Sequence, residues 1–146
     1  MFRRLLAVAL CACALHAGAA GTPEFRSVAN AAAILYDAPS AKAKKLYIVN
    51  RGYPLEVTVQ LRDWAKVRDA NGTFTWIEKK ELADRRTALV KAPLAQVRQA
   101  ADDKSPLAFE AQQGVVLDVV GAEAGWLQVR HEDATGYVRA AQVWGQ

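Results

Sequence analysis

Shifted by 62 positions, the sequence matches itself without a gap over a long stretch. Val28 meets Val90, Ala33 meets Ala95, Leu35 meets Val97, and Tyr47 meets Phe109. Gly52 meets Gly114, Leu55 meets Leu117, Trp64 meets Trp126, and Arg68 meets Arg130. One residue is then lost, so that Trp76 matches Tyr137, Ile77 matches Val138 and Leu82 matches Val143. A unit present twice reads as a duplicated domain, because a solenoid needs three or more copies to bury a continuous core. The chain must therefore fold as two similar small domains, placed at residues 25–84 and 87–146.

The residues that recur say what each unit is made of. Leu55-Glu56-Val57-Thr58-Val59 and Leu117-Asp118-Val119 alternate apolar and polar, the period of a half-buried strand. The glycine before each, Gly52 or Gly114, suits a tight turn with positive φ. In the next strand Ala65 and Val67 share one face, as do Leu127 and Val129, and these are assigned to the cores. Trp64, Lys66 and Arg68 take the opposite face, as do Trp126, Gln128 and Arg130. Asn71-Gly72 between two β-rich runs predicts a hairpin with a type I′ turn. No long segment has helical period. Residues 78–86 are expected to form a turn of 3₁₀ helix followed by a linker. Short strands punctuated by turns indicate an all-β fold of two small barrels.

The N-terminus has a different character. Arg3 and Arg4 precede an apolar run over residues 5–15, and Ala17-Gly18-Ala19-Ala20 supplies small residues for cleavage. This order is that of a secretory signal peptide, assigned to residues 1–20. The run is shorter than the roughly 20 residues that span a bilayer. Both cysteines, Cys11 and Cys13, fall inside it, so the mature chain is expected to have neither a disulfide nor a thiol. Leu10-Cys11-Ala12-Cys13 also weakly resembles a lipoprotein box with Cys13 lipidated, but the cysteine at its second position fits poorly. Export to the periplasm, or secretion, is the expected outcome, with no transmembrane segment in the mature chain.

Catalysis has little to draw on. Beyond residue 20 the chain holds one histidine, His131, placed in a turn, and three serines, Ser27, Ser40 and Ser105. The acid pairs Asp102-Asp103 and Glu132-Asp133 fall in expected loops at a spacing that fits no calcium loop. No metal, cofactor or enzymatic activity is expected. The basic excess is small, and nucleic acid is not an expected partner. It is divided unevenly: residues 25–86 carry 12 basic and 7 acidic side chains, residues 87–146 carry 5 and 7. Lys42, Lys44 and Lys45 lie in one loop, and Lys79 and Lys80 follow the hairpin; together they offer a patch for an anionic polymer or acidic protein. Trp64 and Trp126, on polar strand faces, are the aromatic binding candidates.

The Trp-x-x-Val-Arg of each first hairpin strand, the turn, and then Thr75-Trp76-Ile77 or Gly136-Tyr137-Val138 resemble the bacterial Src-homology 3 domain. Val97-Arg98, followed by a polar loop reaching Gly114, is similar to the start of such domains. The resemblance covers nearly all of the chain after residue 20. It implies a five-stranded SH3-like barrel in each repeat, and binding or targeting at the cell envelope in place of catalysis. Peptidoglycan, or another envelope component, is the partner it implies; a periplasmic adaptor binding a second envelope protein is the alternative. In eukaryotic relatives the first hairpin tryptophan lines a groove for proline-rich peptides, and Trp64 and Trp126 take its place here. The segments after the aromatic pair, Glu78-Lys79-Lys80 and Arg139-Ala140-Ala141, replace the proline of that groove, so the polyproline activity is not carried over.

Overall fold

The computed structural model describes residues 21–146; the signal-peptide and Cys13 expectations lie outside them. Among the described residues fourteen strands form in chain order. In the first repeat they are β1 (Glu24–Val28), β2 (Ala32–Tyr36), β3 (Lys45–Asn50), β4 (Pro54–Gln60), β5 (Trp64–Arg68), β6 (Phe74–Glu78) and β7 (Leu82–Ala83). The second repeat has β8 (Thr87–Val90), β9 (Leu94–Arg98), β10 (Leu107–Gln112), β11 (Val116–Glu123), β12 (Trp126–His131), β13 (Ala134–Arg139) and β14 (Val143–Trp144).

The two sheets have one topology. The first runs β3-β2-β6-β5-β4-β1-β7 and the second β10-β9-β13-β12-β11-β8-β14, each strand replaced by its counterpart seven places later. Every pairing is antiparallel. The duplication read from sequence is thus a duplication of fold. Each sheet has seven segments where the resemblance implied five. A 3₁₀ turn, Lys79–Glu81 or Ala140–Gln142, swings the chain back so that a two-residue strand, β7 or β14, pairs with β1 or β8.

Each barrel closes over its own core. Leu35, Leu55, Ala65, Val67 and Ile77 fill the first; Val97, Leu117, Leu127, Val129 and Val138 fill the second. These are the inward positions of the alternating strands, and burying them supplies the hydrophobic stabilisation. Gly52 and Gly114 hold φ +81° and +88°, as the turns before β4 and β11 require. Thr75, on β6, is buried with a hydroxyl that has no hydrogen-bond partner. Thr75→Val keeps the shape and removes the stranded group, so it is expected to raise stability by about 1 kcal/mol in urea unfolding; an unchanged or lower midpoint would show that the hydroxyl is solvated.

The hairpin turn departs from its expected form. Of Asn71 and Gly72 only Gly72 has positive φ, +84°. The loop is longer than a two-residue I′ turn: Asp69 and Thr73 close it, and the Gly72 N–H returns to the Asp69 carbonyl at 3.0 Å. The Asp69 side chain decides this. Its Oδ1 accepts the N–H groups of Asn71 at 2.8 Å and Thr73 at 2.9 Å, organising a turn followed by a left-handed glycine. In the second repeat His131 pairs with Ala134 around Glu132 and Asp133, which is where the missing residue was lost. Both φ values are positive in a different hairpin, at Ala124 and Gly125 between β11 and β12.

The repeats touch. The Thr87 hydroxyl donates to the Gly52 carbonyl at 2.6 Å in a buried bond. Phe25 of the first repeat meets the Trp144 ring edge to face at 5.1 Å. Arg85 Nε donates to Asp118 at 2.7 Å. Only Asp84, Arg85 and Arg86 separate β7 from β8, so the link is too short to hold the barrels apart.

Candidate functional site: one open tryptophan and one covered

Trp64 begins β5 on the outer face, opposite Ala65 and Val67, as the alternation places it. It is half-buried. Its ring meets Tyr36, at the end of β2, edge to face with centroids 5.3 Å apart. That geometry orients the two rings against each other, and the part of Trp64 that stays exposed is available to a ligand. Across the hairpin Trp64 pairs with Glu78. Glu78 borders two small recesses, one with Tyr36, Ile34 and Glu81, the other with Arg62, Asp63, Lys79 and Lys80. Lys80 pairs with Glu78 at 2.7 Å, and this hydrogen bond pushes the ammonium pKa up. Lys79 Nζ donates to the Leu61 carbonyl at 3.3 Å. The site is therefore an aromatic pair beside a rim of mixed charge, with Arg62, Lys79 and Lys80 set among Asp63, Glu78 and Glu81.

The loop lysines are held by the β2–β3 connection. Asp37 Oδ1 accepts the Lys44 N–H at 3.0 Å and Ser40 Oγ the Lys42 N–H at 3.2 Å, which folds the β2–β3 loop back on itself. Lys42 and Lys44 are exposed on it. Lys45, the first residue of β3, lines a separate recess with Ile34, Leu46, Tyr47 and Ile48. Lys45 on one side and Lys79 with Lys80 on the other thus border different recesses.

Trp126 is on the matching face but only 5% exposed. The Arg139 guanidinium lies 4.2 Å from the centre of its ring, a close cation–π contact. Arg139 is in turn held by Asp103, whose Oδ1 accepts from Nε at 3.1 Å. In the first repeat Glu78 occupies the place of Arg139, and Arg98 occupies the place of Tyr36 in the second. The copies have the same fold and opposite treatments of the same ring. Sequence reading singled out neither Tyr36 nor Arg139; the signal was Tyr36 standing last before the polar loop.

The hydrogen bond from Arg139 holds the Asp103 carboxyl below the usual carboxylate range. A folded-state pKa lowered in this way contributes stability above the unfolded pKa, and that contribution is lost as pH falls through the folded value. Acidification should thus release Arg139 from Asp103 and alter the cover of Trp126. We expect an acid-induced change in tryptophan emission, with its midpoint below the usual carboxylate range, that Asp103→Asn lacks. The same titration in both proteins would refute it.

Among the described residues no group of three or more His, Cys, Asp or Glu is arranged to hold a metal ion, and no helix is long and apolar enough to cross a membrane. His131 is exposed at the end of β12.

Residues 29–84 and, separately, residues 91–145 match the bacterial SH3 domain family. The chain belongs to that family. Its bacterial SH3 repeats are what the duplicated sheets and paired tryptophans describe. No curated protein matches the chain. Solved structures that resemble it include NlpC2 of Trichomonas vaginalis, at 12% identity and a TM-score of 0.40, covering 86% of this chain and 49% of that one. NlpC1 of the same organism matches at 13% and 0.39, covering 86% and 46%. An NlpC/P60 family protein from Bacillus cereus matches at 15% and 0.40, covering 83% and 56%. The chain spans about half the length of these proteins.

Proposed function

We propose that this chain is a non-enzymatic binding module of the cell envelope, periplasmic or secreted, that recognises peptidoglycan through the first bacterial SH3 repeat. The observation that carries the reading is the half-open Trp64, braced by Tyr36 beside Lys79 and Lys80. A partly exposed indole stacks on a sugar ring or packs on a peptide stem. Lys79, which has no ion pair among the described residues, is the rim cation placed to meet an anionic group of the polymer. The basic charge of the first repeat agrees with this, and the family membership agrees with binding in place of catalysis. In this reading the second repeat, with Trp126 covered, acts as a support for the first.

The test is sedimentation with purified, protein-free sacculi. Trp64→Ala is expected to weaken retention about tenfold, a loss near 1.4 kcal/mol. Lys79→Glu with Lys80→Glu should weaken it too, and raised salt should mimic that double variant. Equal pelleting of the wild type and Trp64→Ala would sink the reading. A second reading, an adaptor for another envelope protein, is favoured by one specific feature, the exposed Tyr47 and Ile48 on β3.

A further inference from the structure

β3 ends its sheet: it bonds to β2 on one side and to none of the described strands on the other. Part of its backbone N–H and C=O groups therefore faces outward, a template for another strand. Its middle, Leu46-Tyr47-Ile48-Val49, carries no charge. Tyr47 is 52% exposed and Ile48 is 72% exposed. Neighbouring residues of a strand point to opposite faces, so both faces of this edge present an apolar side chain.

The second repeat supplies an internal comparison. β10 is the matching edge of its sheet, and Glu110 stands where Ile48 stands in β3. Charge on an edge strand is a usual device against unwanted pairing. Both edges have a register irregularity at the same place, so the bulge is common to them and the charge is not. The one charge of β3 is Lys45 at its start, so only the first repeat leaves the middle of its edge strand uncharged.

The surroundings define what would fit. A recess of about 460 Å³ runs beside β3, walled by Ile34, Lys45, Leu46, Tyr47 and Ile48. Ile48 also borders a cleft of about 500 Å³ between the repeats, where Asn50, Asn71, Gln113 and Lys91 provide polar groups. Each space has one lysine and no carboxylate in its walls. Neither Lys45 nor Lys91 belongs to an ion pair among the described residues.

We propose that β3 takes up an extended acidic segment of a partner protein by strand addition. This rests on the adaptor reading and names its surface. The segment's backbone pairs with the free edge, an apolar side chain enters the recess beside Ile34 and Ile48, and carboxylates meet Lys45 and Lys91. Main-chain bonds supply affinity in this mode, and the pockets for alternate side chains supply specificity. A glycan has no regular row of amides to continue the ladder.

The test uses the full chain and a display library of short random peptides. Enriched peptides should combine an apolar residue with Asp or Glu. Ile48→Glu gives β3 the charge that β10 carries and should weaken those peptides at least tenfold. Lys91→Glu should weaken them several-fold, and Trp64→Ala should leave them unchanged. Methylation of alternate peptide nitrogens should abolish binding. Circular dichroism of Ile48→Glu checks that the fold is kept, as expected for so exposed a position. No enrichment of acidic-apolar peptides, or equal affinity for wild type and Ile48→Glu, overturns the proposal. So does a chitin-type oligosaccharide that shifts the β3 amide signals when the peptides do not. A protein partner that still binds Ile48→Glu would remove β3 as its surface and leave the adaptor reading standing.

Discussion

Gly136→Ala is expected to cost about 3 kcal/mol, the upper range for forcing extra atoms into a packed site. A Cβ at Gly136 would lie 2.6 Å from the Arg98 carbonyl oxygen and 2.7 Å from Val97 Cγ1. The Ala108 Cβ would be at 3.1 Å. The first contact is with backbone, and it lies where β13 bonds to β9 through Tyr137 and Arg98. The added atom can be accommodated only by parting these strands. The first repeat carries Thr75 at this place, fully buried, so the family's fold itself tolerates a side chain there. The close approach belongs to the second copy alone. Urea unfolding followed by near-ultraviolet dichroism should read a large fall in midpoint. A change below about 0.5 kcal/mol, the size usual for surface substitutions, would mean the strands separate freely.

Thr87→Val should cost about 2 kcal/mol, because the buried Gly52 carbonyl loses the donor that reaches it across the seam. The location matters more than the size. Gly52 belongs to the first repeat and Thr87 to the second, so the loss should reach both. A domain of about 60 residues buries only some 60% of its unfolded surface and is marginal by itself. The seam, with Phe25 against Trp144 and Arg85 against Asp118, is expected to make the barrels unfold together. Hydrogen exchange reads this directly: the amides of Val67 in β5 and Val129 in β12 should both exchange faster in Thr87→Val. Acceleration confined to β12 would show that the repeats are stable independently.

The site was partly legible in advance. Alternation in β5 put Trp64 on the outer face because neighbouring strand residues must point oppositely. The same rule applied equally to Trp126, and there it stops short. Which face a ring occupies is local; whether that face is open depends on what the rest of the chain lays over it. Arg139 and Asp103, 36 residues apart, meet above Trp126 through the folding of the β9–β10 loop beside the end of β13. The turn at Asn71-Gly72 departs from type I′ for a related reason. The pair permits a type I′ turn, but the Asp69 carboxylate captured two N–H groups and selected a longer one.

What the amino-acid order alone determined is what has a short period or a fixed repeat: the two copies, the alternating strands of each hairpin with their inward faces, and the glycines of positive φ at 52 and 114. These follow from steric and hydrophobic rules that act between neighbours in the chain. Tertiary structure alone decided the seam, the cover over Trp126, the partial exposure of Trp64 and the unpaired edge of β3. Each depends on which distant groups come into contact, and two copies of one fold can settle that differently when a few outward residues change.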